Sequence, residues 1–238
     1  MDGIRVAAER TVITPYEYAN AVVIAWPKIL GGRATDPACA VLWSQYMIET
    51  GGRNCWNWNI GNVKKRDGDG FDYHCLFGVW EGVSKDAALR LVASGEAQRD
   101  PSQDHAKSVG KDRVSVLYNP PHPATRFRAY PNLAKAMEHH IEFLALGRYA
   151  ACWPFVVGGD VKGFSAALHS AGYFTASRDA YAAGMARPYG PFLSSDAFEL
   201  ADEKNFPKQA KSVDFRAYDR STRPIVDDED PSEPDPSA

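Results

Sequence analysis

No stretch of this 238-residue chain runs to 18 apolar residues, so nothing in it reads as a membrane-crossing helix. It also lacks a GxSxG elbow, a P-loop and a GxGxxG turn, which removes the common signatures of serine hydrolases, nucleotide hydrolases and dinucleotide enzymes. The N-terminal "MDGIRVAAERTVITPYEYANAVVIAW" has no basic region followed by a clean apolar stretch, and no secretory leader is expected. Cysteine is sparse: Cys39, Cys55, Cys75 and Cys152, with no CxxC spacing. Reduced, buried thiols are the expectation, with a Cys55–Cys75 disulfide as the alternative. No basic strip interleaved with aromatics argues for nucleic acid, and the formal net charge is only -3.

Metal chemistry is equally thin. His139 and His140 are adjacent on one expected helix and point to different faces, while His74-Cys75 has no partner pair at zinc spacing. The "DGDG" of Asp67 to Gly70 lacks the ligand set and terminal Glu of a calcium loop and reads as a turn. No metal and no cofactor is expected.

What is present is an ordinary globular composition, 45% apolar and 12% aromatic, long enough for one domain with a proper core. The pattern predicts a helix over residues 15 to 30, opened by Thr14 and Pro15. A second begins at Asp36-Pro37 and ends at Gly51-Gly52. In it Ala38, Val41, Leu42, Gln45, Tyr46 and Glu49 fall at spacings of three and four, so Glu49 continues a mainly apolar stripe. Residues 63 to 83 alternate aromatic and polar residues about a Gly-Asp-Gly turn, which suggests a hairpin. Residues 84 to 123 suggest a short helix and, in "RVSVLYNPPHP", a strand entering a proline-rich loop. A strong helix follows from Asn132 to Leu146, then two more in "VKGFSAALHSAGYF" and "SRDAYAAGMARPYGPFL". The expectation is a mainly α (α+β) fold with one small β lobe after the second helix. A single domain would span residues 1–215, followed by an acidic Pro/Ser-rich tail, 216–238, expected to be disordered; its "VDDEDPSEPDPSA" holds six carboxylates and no base.

One stretch carries the chemistry: "QYMIETGGRNCWNWNIGNVK", residues 45 to 64. A carboxylate at the C-terminal end of a helix meets the negative end of the macrodipole, which disfavours its charged form. Burial beside Tyr46, Trp56 and Trp58 would raise its pKa further, as a general acid requires. A plain surface Glu in a last helical turn is the competing reading. Trp56 and Trp58, with Asn54, Asn57 and Asn59 about them, are either sugar platforms or core tryptophans. One indole packed on the helix and the other open to a sugar ring near Glu49 would reconcile the two.

Three segments, taken in order, resemble glycoside hydrolase family 73, the bacterial endo-β-N-acetylglucosaminidases of the lysozyme-like superfamily. "SQYMIETGGRN" with "NWNIGNVK" resembles its apolar helix ending in Glu and the turn beyond. "FRAYPNLAKAMEHHIEFL" is similar to its second helix entry, and "AALHSAGYFTASRDAYAAGM" to its "AGYAT" segment; together they cover roughly residues 37 to 185. The resemblance implies a lysozyme-like helical core with a β-hairpin lobe across a groove, and cleavage of peptidoglycan glycan strands. It gives Glu49 the role of general acid, matches Tyr173 to the family's tyrosine, and puts Asn59 and Gly61 in the groove floor. The sequence departs from the family in having Ala-Ser-Arg for Thr-Asp-Pro, which alters a capping detail. The family's second carboxylate has no motif match; Glu81 is best placed by spacing, ahead of Glu96 and Asp72. A muramidase, a lytic transglycosylase, a chitin-directed enzyme and a non-catalytic wall-binding module of a phage or secretion apparatus stand as alternatives. Without a leader, access to the wall would come by holin-type release or by delivery.

Overall fold

The second helix is the axis of the molecule. In the computed structural model, which describes residues 3–100, 102, 113–174 and 176–207, α2 (Asp36–Thr50) is buried on every side from Ala38 to Tyr46. The apolar stripe expected from its spacing is therefore the whole circumference over two and a half turns, and the helix emerges from the core at its start, Asp36 and Pro37, and near its end at Met47, Ile48 and Glu49. Thr35, not Asp36, caps its start by accepting from Ala38 N. Gly51 ends it in the left-handed region at φ 59, ψ 17, a conformation glycine adopts without a Cβ penalty.

The other helices form a shell. α1 (Pro15–Leu30) is fixed by a reciprocal capping box, Glu17 N to Thr14 Oγ1 at 3.2 Å and Thr14 N to Glu17 Oε2 at 2.8 Å. It packs on α4 (Leu133–Ala145) and on α8 (Ala197–Asn205). α7 (Arg178–Leu193) packs along α2, while α5 (Trp153–Val157) and α6 (Val161–Ser170) close the remaining side. The expected helices at 15–30, 132–146 and in the two later segments are present; α5 and α8 are additions. Tyr18, Trp43, Tyr46 and Phe192 make an aromatic chain through the main core, with ring centroids 5.2–5.6 Å apart.

Three small antiparallel sheets complete a mainly α, α+β fold. β1 (Arg10–Thr11) pairs with β2 (Cys55–Trp56). β3 (Tyr73–Cys75) pairs with β7 (Arg126–Arg128), and Lys64 bridges to Phe127 on the other flank of that same strand. This corrects the local hairpin expected over 63–83. The two arms of the Gly-Asp-Gly turn do not pair with each other, because a strand more than fifty residues later inserts between them. Asp69 holds the turn: it accepts from Arg66 N and Phe71 N and pairs with Lys65 Nζ and Arg128 Nε.

The segment from 84 to 123 has its own small core. β4 (Trp80–Ser84), β6 (Arg113–Tyr118) and β5 (Ala97–Arg99) form a sheet in the order β4-β6-β5. Across it lies α3 (Lys85–Ala93), burying Ala88 against Ala97, Val114 and Val116. All four cysteines are buried thiols without a disulfide, Cys55 and Cys75 included. The fold described here belongs to the unit Met1–Phe206; the expected boundary at 215 and the acidic tail beyond it lie outside the described residues. No helix among the described residues is long and apolar enough to cross a membrane.

Candidate active site

Glu49 leaves the core at the last turn of α2 and lines a cavity of about 420 Å³. Its walls come from all three segments singled out in the sequence. The first supplies Glu49, Gly61, Asn62, Val63 and Lys64; the second, Arg128 and Phe143; the third, Gly172 and Tyr173. Burial pushes the Glu49 carboxyl up to about 7, against the lowering effect of one hydrogen bond from Tyr181. That bond runs from Tyr181 Oη to Glu49 Oε1 at 2.7 Å. The helix end acts in the same direction as burial, since unpaired carbonyls at a C-terminus disfavour a negative charge.

Tyr181 is fixed in turn. It projects from the first turns of α7, and Phe174 stacks on its ring at 4.0 Å between centroids and 11° between planes. Burial and the neighbouring Glu49 charge push its pKa well above the phenol range, so the hydroxyl remains a donor. Ser177, within the Ala-Ser-Arg stretch, caps α7 by accepting from Ala180 N at 3.4 Å.

Behind the acid lies a second buried polar layer. Gln45, one turn earlier on α2, accepts through Oε1 from His140 Nε2 at 3.1 Å. Its amide also lowers the burial-raised pKa of both Tyr173 and Tyr181. Burial drives His140 down to about 4, which keeps it neutral. Its Nδ1 faces Gly61, where a Cβ would stand only 3.0 Å away. Gly61 is thus the residue that lets the turn lie flat on the His140 ring.

The turn from Asn57 to Asn62 is tied to the helix end. Asn62 Nδ2 donates to the Glu49 backbone carbonyl, satisfying one of the orphan acceptors of α2. Asn57, Trp58 and Asn62 take positive φ of 49°, 59° and 47°, costly for non-glycine residues. Asn59 is buried, with Nδ2 donating to Val63 O (2.9 Å) and Arg128 O (3.0 Å) and Oδ1 accepting from Val63 N (2.8 Å). Its amide is spent on the protein; it shapes the floor without facing the cavity.

The candidate residues are therefore not all brought together. Glu49, Gly61 and Tyr173 line one cavity, and Tyr173 Oη donates to Gly61 O at 3.3 Å. Trp56 and Trp58 are absent from that lining. Trp56 borders a separate depression with Arg5, Val6, Leu76 and Phe77, and Trp58 packs on the main core. Glu81, on β4, is ion-paired to Lys64 Nζ and is not among the lining residues. Among the described lining residues Glu49 is the one carboxylate, whereas Lys64, Arg66, Arg128 and Arg148 are all cations. A roomier groove of about 770 Å³ lies against α6 and α7, but its acids, Asp160 and Asp179, are exposed and its walls are largely alanine and glycine. Enclosure of an acid, more than volume, makes the Glu49 cavity the candidate site. No group of three or more His, Cys, Asp or Glu able to hold a metal occurs among the described residues.

Tyr181 and the four cations were not singled out from the sequence; Gln45 entered only as part of the apolar stripe and His140 only as one of two histidines unable to share a metal. Tyr181 and His140 do lie within the resembling segments, eight residues after Tyr173 and on α4 respectively.

No family model matches the chain, and no curated protein matches it. Among solved structures it is similar to a peptidoglycan hydrolase mutant from Sphingomonas sp. A1, with 20% identity over 76% of this chain and 97% of that one. The TM-score is 0.36, too low to establish a shared fold.

Proposed function

We propose that the protein is a glycosidase of the glycoside hydrolase family 73 kind, cleaving β-1,4 bonds of peptidoglycan strands with Glu49 as general acid. One observation carries this reading. Among the described residues lining the cavity, the one carboxyl is that of Glu49, which burial raises to about 7, and it sits where the three resembling segments converge.

Glu49 gives its proton to the glycosidic oxygen as the bond from that oxygen to C1 breaks, and becomes a carboxylate accepting from Tyr181. The electron-deficient C1 then needs a partner. Glu81, paired to Lys64 and not among the lining residues, supports less well the water-activating role that inverting enzymes give a second carboxylate across the cleft. The arrangement favours a nucleophile within the substrate. If the 2-acetamido oxygen bonds to C1, the cyclic cation formed is opened by water, whose proton returns to Glu49. If the C6 hydroxyl bonds to C1, its proton returns to Glu49 and an anhydro sugar leaves. Both sequences restore the acid. In this reading Tyr173, which lines the cavity beside the floor turn at Gly61, contacts the sugar at the cleaved bond.

Mass spectrometry of the muropeptides released from sacculi tests this reading. Reducing-end N-acetylglucosamine supports the hydrolase, anhydro-muramic acid the transglycosylase alternative. No cleavage of sacculi or of chitin by folded protein would favour a wall-binding module instead.

A further inference from the structure

The chain carries more acid than base, 30 Asp and Glu against 27 Lys and Arg, yet it concentrates cations at the Glu49 cavity. Lys64, Arg66, Arg128 and Arg148 all line it. Two are paired with acids: Lys64 with Glu81, and Arg128 with an Asp69 that also serves Lys65. The guanidinium of Arg66 has no acid partner among the described residues. Arg148 has none either; it donates to the Ala171 carbonyl and lies over the Tyr149 ring, 5.1 Å from its centroid. A guanidinium has five donors in a fixed fork, so most of this donor capacity is not used by acids of the described residues, at two side chains that line the cavity. Clustering like charges around a partly enclosed space is unfavourable unless an anion is to enter it.

Taking the glycosidase reading as its ground, we propose that Arg66 and Arg148 bind a carboxylate of the substrate strand, so that the site takes acidic glycans in preference to neutral ones of the same backbone. In a peptidoglycan strand that carboxylate belongs to the lactyl ether or to its peptide stem. A neutral β-1,4 N-acetylglucosamine polymer offers nothing to these two side chains, and a chitosan, being cationic, is repelled. The acid at Glu49 and the anion-binding pair at Arg66 and Arg148 then divide the work between them: bond cleavage on one part of the lining, choice of strand on another.

The test compares one glycan in two forms: soluble disaccharide-peptide fragments of murein, untreated or with their carboxyls converted to methylamides. Binding is measured to Glu49→Gln protein by calorimetry, so the result does not depend on cleavage. Untreated fragments should bind at least about tenfold more tightly than the amides, as charge-assisted hydrogen bonds of this kind warrant. The preference should fall with added salt, and should shrink toward unity in the Arg66→Gln/Arg148→Gln protein. Arg66→Gln alone, at an exposed side chain without an acid partner, keeps the test open if the double variant folds poorly. Equal binding of the two forms, or a preference untouched by Arg66→Gln, would overturn the proposal. If the wild-type protein binds untreated fragments preferentially but cleaves no glycan, the carboxylate site stands and the glycosidase reading fails.

Discussion

The hydroxyl of Tyr181 lies 2.7 Å from Oε1 of Glu49 and donates to it, joining the N-terminal part of α7 to the C-terminal end of α2. This bond sets how strongly the acid holds its proton. Burial raises the carboxyl to about 7, and the Tyr181 bond opposes that rise by stabilising the charged form.

Tyr181→Phe should therefore raise the Glu49 pKa further. A general acid works while protonated, so the fall in kcat/KM on the alkaline side should move from about 7 to higher pH. The rate at low pH should drop as well, because the carboxyl loses its orienting partner. A pH–rate profile checks both. An alkaline limb that moves to lower pH would show that Tyr181 does not act on the carboxylate.

Glu49 also links stability to pH. Its folded-state pKa of about 7 stands above the usual carboxyl value of 4.5, so between those values the folded chain keeps a proton that the unfolded chain has released. Stability from this group is accordingly highest below about pH 4.5 and declines as pH rises to about 7. Glu49→Gln removes the decline and should stabilise the protein at pH 8 by up to about 3 kcal/mol, with little change at pH 4. Thermal melts at the two pH values decide it.

Asn59→Ala should cost folding free energy, not substrate affinity. It removes three hydrogen bonds in the floor turn and strands Val63 N, while Val63 O keeps its bond from Arg128 N, for a loss of about 3 kcal/mol. Denaturant unfolding should show the loss, while KM of the remaining folded protein stays within a few-fold.

Glu81→Gln should lower the rate on sacculi by less than about tenfold, well short of what loss of a catalytic acid or base brings. Its carboxylate serves Lys64 and stands outside the cavity lining. Initial rates at saturating substrate are the measurement.

Local signals made most of the helical frame readable. Thr14 with Pro15, Asp36-Pro37 at the start of α2 (one residue past the true cap, Thr35), Asn132 and Gly51 are punctuation that the backbone obeys for local steric and hydrogen-bonding reasons. The β pairings were not readable in this way. Lys64 and His74 both meet Phe127, a partner more than fifty residues distant, and no local pattern announces so remote a strand. The same division holds at the site. Glu49 was legible from its place on one helix, and Gly61 and Tyr173 from a resemblance. Tyr181, His140 and Arg148 act through contacts that α4, α6 and α7 create only once they have packed on α2. The tryptophans misled for a related reason: spacing cannot tell which side of a turn at positive φ faces the groove, and Trp58 is at φ 59.

The central claim is that Glu49 supplies the proton for cleavage. The direct measurement is the rate at which purified wild-type and Glu49→Gln proteins clear a suspension of peptidoglycan sacculi at pH 6, with circular dichroism recorded on the same samples. A fall of about 10²–10⁴-fold with an unchanged spectrum is the predicted result. Clearing within a few-fold of wild type by folded Glu49→Gln would contradict the account.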